Sequence, residues 1–264
     1  MPLWEAVLLG IVQGITEFLP VSSDGHLVIA QTLLGIHEQG LVFVIAVHVG
    51  SLLALLVFYR ARVLELVRGV LGREPDSFRY VVKLAVATLP AVVVGLFFKD
   101  FVEAAFDTPW TAGAGLLVTG AFLATTRATQ RTAHAREPSY WQALWIGCAQ
   151  ALAIAPGISR SGSTIALSLA FGVAPLAAAE FSFLLGIIAI VGAAVLELPE
   201  ALATPADALR PLWVGALAAA VTGLGALVLL VRLLRAQQFH WFAGYTWAAG
   251  IAFLAYLAYG SRIG

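Results

Sequence analysis

Six long apolar segments dominate this chain and restrict what it can fold into. Each has roughly 17 to 21 residues with few charges, the length that a helix needs to cross a bilayer. The segments are 41–59, 80–98, 110–126, 176–196, 212–231 and 239–259. Only 11% of the 264 residues are charged, whereas soluble domains have about 25%. We therefore predict an all-α, multi-pass membrane protein that forms one domain over residues 1–264.

The charge balance and the cysteine content argue against several other classes of protein. Fifteen basic and fifteen acidic residues give zero net charge, so we expect no nucleic acid as partner. Cys148 is the single cysteine, which excludes an intrachain disulfide and leaves no Cys/His cluster for a metal.

Two further apolar stretches, 3–36 and 140–173, are broken near the middle by a proline and a group of serines and glycines. Their halves, of roughly 12 to 17 residues, are too short to span a membrane. A broken backbone at membrane depth is tolerated only when it is buried in protein or lines a wet cavity. Each stretch therefore predicts a re-entrant helical hairpin.

Arginines in the loops indicate how the spans are oriented. Five lie in loop 60–79, three in loop 127–139 and two in loop 232–238, whereas the intervening loops are mostly acidic. The positive-inside rule places the arginine-rich loops in the cytoplasm. The first hairpin then enters from the outside, and the second enters from the cytoplasm.

The two hairpins also resemble each other in sequence. Gln13 precedes Pro20-x-Ser-Ser-x-Gly, and Gln150 precedes Pro156-x-x-Ser-x-Ser-Gly. Chance similarity between two Ser/Gly loops is the alternative explanation. Weak symmetry between halves of opposite orientation is typical of an inverted-topology repeat with its site near the midplane. We expect repeats at about 1–126 and 139–260.

The first hairpin contains a set of polar residues. Glu17 lies four residues after Gln13, so both share one face of a short helix, and Pro20 ends that helix. Ser22 or Ser23 is expected to cap the next helix, with His26 in its first turn. Carboxylate, hydroxyl and imidazole groups are what acid–base and nucleophilic catalysis require. We therefore propose Glu17, Ser23 and His26 as catalytic residues.

The second hairpin contains an arginine among hydroxyls. Arg160 is flanked by Ser159, Ser161, Ser163 and Thr164, and we expect a helix to begin near Ser163. A guanidinium beside a helix N-terminus forms an anion site that suits phosphate. Arg160 is a catalytic and substrate-binding candidate, and we expect it to converge with Glu17, Ser23 and His26. The other substrate-binding candidates are Ser22, Ser159, Ser161 and Thr164.

Structural roles remain open for several of these residues. Glu17 and Arg160 would also suit a buried ion pair between the hairpins, and His26 could be a satisfied core histidine. Serines in membrane helices often bond only the backbone. His48 and Glu180 follow the two hairpins at related places, and either a cavity-lining or a structural role fits them.

The motifs resemble a known family. Thr16-Glu17-Phe-Leu-Pro-Val-Ser22-Ser23-x-Gly25-His26 and Pro156-Gly-x-Ser159-Arg160-Ser161-Gly-Ser-Thr164 are similar to the two signatures of the bacterial undecaprenyl-diphosphate phosphatases of the BacA/UppP type. The resemblance continues through Gly50-Ser51-Leu-Leu-Ala-Leu and Ala179-Glu180-Phe-Ser-Phe-Leu-Leu, so it covers nearly the whole chain.

This resemblance implies an enzyme of the bacterial plasma (inner) membrane. It would remove the terminal phosphate of undecaprenyl diphosphate at the outer face, which recycles the lipid carrier for peptidoglycan synthesis and underlies bacitracin resistance. It also implies a divalent cation, Mg²⁺ or Ca²⁺, and allows a homodimer. This sequence departs from the family pattern at two places. Gln13 and Glu17 stand where the family has a pair of acids, and Asp24 stands where Ser or Thr is common.

We expect Glu17, with Gln13, to hold the cation. Arg160 and the neighbouring hydroxyls would hold the diphosphate, because phosphoryl transfer needs mainly positioning and charge neutralisation. Ser23 or His26 would attack, or one of them would activate a water, and we favour attack by Ser23 with His26 or Glu17 as its base. The competing interpretation is a lipid-phosphate flippase, since broken helices in inverted repeats are transporter architecture.

Overall fold

The computed structural model describes residues 1–36, 41–203, 205 and 209–260. Most of these residues are helical, and their strand pairing is limited to an isolated bridge between Ala135 and Val173. The α-helices are α1 Leu3–Phe18, α2 Ser23–Leu34, α3 Leu41–Phe58, α4 Arg60–Leu71, α5 Pro75–Phe97, α6 Lys99–Phe106, α7 Pro109–Thr129, α8 Tyr140–Leu152, α9 Arg160–Ala170, α10 Pro175–Leu196, α11 Leu198–Leu202, α12 Leu209–Arg235 and α13 Phe242–Gly260. A 3-10 helix, Phe239–Trp241, precedes α13.

Helices α1 and α2 form a first pair with a break at the predicted place. α1 ends at Phe18, and Leu19 just before Pro20 is extended. Ser22 caps α2 by accepting a bond from the Gly25 N–H. Gly35 ends α2 in the left-handed conformation, at φ 65°, which a residue without Cβ adopts at little cost.

Helices α8 and α9 form the second pair. A capping box between Ser139 and Gln142 starts α8. Helix α9 begins at Arg160, with Ser159 as its cap accepting from the Gly162 N–H. The predicted start near Ser163 was therefore wrong, because the serine three residues before Gly162 satisfies the first free N–H group. Arg160 itself lies in the first turn of α9.

Four helical segments are long and apolar enough to cross a membrane by themselves: α5, α10, α12 and Phe239–Gly260. Helices α3 and α4 together would make a fifth, but the chain bends by 75° between them. Thus the membrane character of the chain is confirmed, and five of the six predicted segments coincide with these helices. The sixth, 110–126, lies in α7. The prediction that 60–79 is a loop was wrong, since it contains all of α4.

Close contacts through small residues hold α12 against the first pair and α3. A Cβ on Gly14 would lie 2.3 Å from the carbonyl oxygen of Ala219, and one on Gly50 would lie 2.1 Å from that of Ala216. Such approach of helix backbones is typical of membrane helix packing. In the largest buried cluster, Phe18 packs edge-on against Phe183 of α10 with ring centroids 5.8 Å apart. This contact fixes the end of α1 next to Glu17.

Candidate active site

The tips of the two hairpins contact each other. The hydroxyl of Ser22 accepts bonds from the backbone N–H of Gly157 at 3.1 Å and of Gly25 at 3.2 Å. The Ser161 hydroxyl donates to the carbonyl of Leu19 at 3.4 Å. Ser22 adopts φ 68°, a conformation that non-glycine residues rarely adopt and that is frequent at functional sites. The contacts bring the polar groups of both hairpins together.

Glu17 is the centre of this cluster. Its carboxylate oxygen Oε1 accepts a bond from Arg160 Nη2 at 2.5 Å. Its other oxygen, Oε2, accepts from the Ser23 hydroxyl at 2.6 Å and from Gln13 Nε2 at 3.1 Å. Glu17 is buried, with 8% of its surface exposed. Of the four residues expected to converge, Glu17, Ser23 and Arg160 are in contact, across 143 residues of sequence. The ring of His26 bonds other partners.

Arg160 is held in place by helix α10. Its Nη1 donates to the carbonyl oxygen of Ser182 at 3.3 Å. The guanidinium lies directly against Gly186, where an added Cβ would be 1.8 Å from Nη1. Sequence reasoning missed Gly186 as a site residue, because a glycine in an apolar helix has no local signal for a distant arginine.

The remaining hydroxyls of the second hairpin are buried and bonded to protein groups. Ser159 caps α9, and Ser161 bonds Leu19. Thr164 donates to the Arg160 carbonyl at 2.6 Å, and its Oγ1 lies 2.6 Å from the hydroxyl of Ser182. These bonds order the start of α9 around Arg160.

Thr119 of α7 supports the second hairpin from outside. Its hydroxyl donates to the carbonyl of Gly157 at 2.7 Å and accepts from the N–H of Ser159 at 2.8 Å. Thr119 is almost fully buried. Sequence reasoning did not single it out, since threonine is ordinary in a membrane helix.

The imidazole of His26 bonds Ser22 and Tyr245 rather than Ser23. Its Nδ1 lies 2.8 Å from the Ser22 carbonyl oxygen, and its Nε2 lies 2.7 Å from the hydroxyl of Tyr245. The Ser23 hydroxyl is bonded to Glu17 instead. In this structure Glu17 rather than His26 is therefore placed to accept the proton of Ser23.

His48 and Glu180, which the sequence left undecided, have different surroundings. His48 Nε2 lies 3.7 Å from Glu17 Oε2 and 3.7 Å from Asp24 Oδ1, so it lies beside the candidate site. Glu180 pairs with Arg62 Nε at 2.9 Å. His48 thus belongs to the site, whereas Glu180 has a structural partner on α4.

The acidic and amide groups of the cluster offer few ligands for a metal ion. Within the described ranges, no three His, Cys, Asp or Glu side chains form a group that could hold a metal ion. However, Gln13 Oε1 is buried without a hydrogen-bond partner, beside the Glu17 carboxylate, and carboxylate and amide oxygens are ligands for Mg²⁺ and Ca²⁺. Gln13 and Glu17 therefore offer oxygen atoms of the kind that a divalent cation binds.

Comparison with known proteins agrees with the motifs. The family described as bacitracin resistance protein BacA matches residues 6–252. The chain is 40% identical to the undecaprenyl-diphosphatase of Desulfatibacillum aliphaticivorans and 42% identical to that of Desulforapulum autotrophicum, over 95% of this chain and 97% of each relative. It is 39% identical to the undecaprenyl-diphosphatase of Carboxydothermus hydrogenoformans, over 97% of this chain and 98% of that relative. The chain therefore belongs to the BacA family.

Proposed function

We propose that this protein is an undecaprenyl-diphosphatase. It hydrolyses the bond between the two phosphates of the lipid carrier diphosphate and leaves undecaprenyl phosphate for cell-wall synthesis. The observation that carries the proposal is the Glu17–Arg160 contact beside Ser23, which joins both signature motifs in one buried cluster. The relatives named above carry this activity in their names.

The charges of the cluster suit a diphosphate together with a cation. Arg160 offers a planar guanidinium for bidentate phosphate contacts, but Glu17 already pairs with it, and Asp24 adds a second acid nearby. A diphosphate brings further negative charge. A divalent cation, Mg²⁺ or Ca²⁺, would neutralise this charge when bound. Glu17 and Gln13, with Asp24, would hold it.

Ser23 is the nucleophile that the geometry supports best. Its Oγ attacks the terminal phosphorus while its proton passes to Glu17 Oε2, which lies 2.6 Å away. The bond from that phosphorus to the bridging oxygen breaks, and undecaprenyl phosphate leaves with the electron pair. Water then attacks the phosphoserine phosphorus, the bond from phosphorus to Ser23 Oγ breaks, and Oγ takes back the proton from Glu17 as inorganic phosphate leaves. Direct attack by His26 would first require Nε2 to release Tyr245.

The other hydroxyls hold the site together in this proposal. Ser22 bonds two backbone N–H groups, and the hydroxyls of Ser159, Ser161 and Thr164 have protein partners. Ser22 only accepts in these bonds, so its own O–H can still donate to a phosphate, whereas Ser161 and Thr164 already donate to backbone carbonyls. We therefore assign direct phosphate contact to Arg160 and Ser22, and the positioning of the α9 start to Ser159, Ser161 and Thr164.

The arrangement in the membrane is part of the proposal. Six spans and two re-entrant hairpins in an inverted repeat would place the site in the inner membrane and open to the outside. The arginine distribution supports this orientation. The polyprenyl chain and the bilayer are then the partners.

Phosphate release from a polyprenyl diphosphate by the detergent-purified protein tests the proposal. We expect Arg160→Ala and Glu17→Ala each to lower the rate by about 100-fold or more, because electrostatic stabilisation is usually the largest catalytic contribution. Arg131→Ala, an exposed arginine beyond α7, is the matched control. Near-normal rates in both site variants would refute the proposal.

A liposome assay separates the flippase interpretation from the enzyme. The same preparation is tested for lipid translocation and for phosphate release. Translocation without phosphate release would favour the transporter, whereas release without translocation supports the hydrolase.

A further inference from the structure

Tyr245 of α13 contacts the candidate site from outside both hairpins. Its hydroxyl lies 2.7 Å from His26 Nε2. The two rings are nearly parallel, at 9°, with centroids 5.6 Å apart. Sequence reasoning did not single out this tyrosine, because tyrosines near the ends of membrane helices are ordinary interface anchors.

The partners of the imidazole determine which nitrogen carries the proton. A carbonyl oxygen can only accept a hydrogen bond, so Nδ1 donates its proton to the carbonyl of Ser22. In the neutral ring Nε2 is then the acceptor, and the Tyr245 hydroxyl must donate to it. The imidazole is held at both nitrogens, and its basic nitrogen is aimed at Tyr245.

His26 and Tyr245 line a groove between α2 and α13. The groove has a volume of about 280 Å³, and its other lining residues are Ile29, Leu33, Ala249, Ala252, Phe253 and Tyr256. Its walls are therefore mainly apolar. The His26–Tyr245 bond places a polar donor–acceptor pair at the start of α2, next to the break between α1 and α2.

We infer that Tyr245 is a positioning residue for the reaction, acting through His26. The inference rests on the proposed phosphatase function and adds a residue to it. The Tyr245 hydroxyl fixes the orientation and tautomer of the imidazole, so that Nε2 is its basic nitrogen. During phosphoserine hydrolysis, Nε2 of His26 accepts a proton from the attacking water, and this transfer depends on the alignment of the imidazole because proton transfer requires hydrogen-bond geometry.

Tyr245→Phe tests this assignment, because it removes the hydroxyl and keeps the ring against His26. We expect kcat for a polyprenyl diphosphate to fall about tenfold with KM unchanged, which is the effect of losing one neutral hydrogen bond to a reacting group. Tyr256→Phe is the matched control, since it removes a tyrosine hydroxyl from the same groove. In a His26→Gln background, Tyr245→Phe should cause no further loss.

A chemical readout distinguishes this inference from the proposed function. Diethyl pyrocarbonate modifies the free lone pair of an imidazole, and modification of His26 can be followed by mass spectrometry of its peptide. We expect Tyr245→Phe to react several times faster than the wild type and Tyr256→Phe to react at the wild-type rate. Unchanged modification in Tyr245→Phe overturns the assignment of Tyr245, even if the wild type is an active phosphatase. A wild type without phosphatase activity overturns the function instead.

Discussion

Replacement of Gly186 by alanine should displace Arg160 without unfolding the protein. An ideal Cβ at this position would lie 1.8 Å from Nη1 and 2.5 Å from Cζ of Arg160. Real Cβ atoms essentially never approach closer than 3.0 Å, so Nη1 must move by 1.2 Å or more. The guanidinium is the flexible end of a long side chain, and it moves at less cost than the helix backbone.

This displacement is large compared with the contacts that it disturbs. Nη2 is 2.5 Å from Glu17 Oε1, and Nη1 is already 3.3 Å from the Ser182 carbonyl. Moving the guanidinium by this amount breaks at least one of these bonds. A misplacement of about 1 Å in a catalytic site costs about 100-fold in rate. We expect this loss of kcat/KM in Gly186→Ala.

The assay is phosphate release from a polyprenyl diphosphate, with circular dichroism and gel filtration to check folding. Gly192→Ala is the matched control, because Gly192 is in the same helix and its added Cβ meets no heavy atom within 4 Å. We expect the control to keep wild-type activity. A folded Gly186→Ala protein with activity within threefold of the wild type would refute the assigned role of Arg160.

Three further predictions concern the surroundings of the site. Thr119→Val leaves the Gly157 carbonyl and the Ser159 N–H without their partner, so the free energy of unfolding should fall by about 2 to 4 kcal/mol in thermal unfolding. The exposed Thr125→Val is the control and should change it little. Equal melting temperatures of the two variants would contradict this prediction. The side-chain amide of Gln150 is buried, and neither its Nε2 nor its Oε1 has a hydrogen-bond partner. Gln150→Leu should therefore stabilise the protein by about 1 to 2 kcal/mol. A lower melting temperature in this variant would contradict the prediction. Chelation of divalent cations by EDTA should abolish phosphate release, and added Mg²⁺ or Ca²⁺ should restore it. Full activity in EDTA would show that the reaction needs no divalent cation.

Local patterns in the sequence determined the secondary structure and the hairpin breaks. Pro20 and the serine caps determine where α1 ends and α2 begins, and the apolar runs locate the long helices because hydrophobicity over about 20 residues is a local property. Helix α4 was not predicted, because its arginines were interpreted as loop charges. Its leucines and valines nevertheless repeat at helical spacing. The start of α9 was misplaced by three residues because the first of several serines is the cap.

Only the tertiary structure decided which polar groups meet. The sequence identified Glu17 and Arg160 as candidate site residues, but whether they contact each other depends on how both hairpins pack against α10 and α7. Gly186, Thr119 and Tyr245 carry no motif, and they matter because packing brings them against Arg160, Gly157 and His26. Apolar length and turn chemistry act between neighbours in the chain, whereas contacts across 143 residues arise only when the whole fold closes.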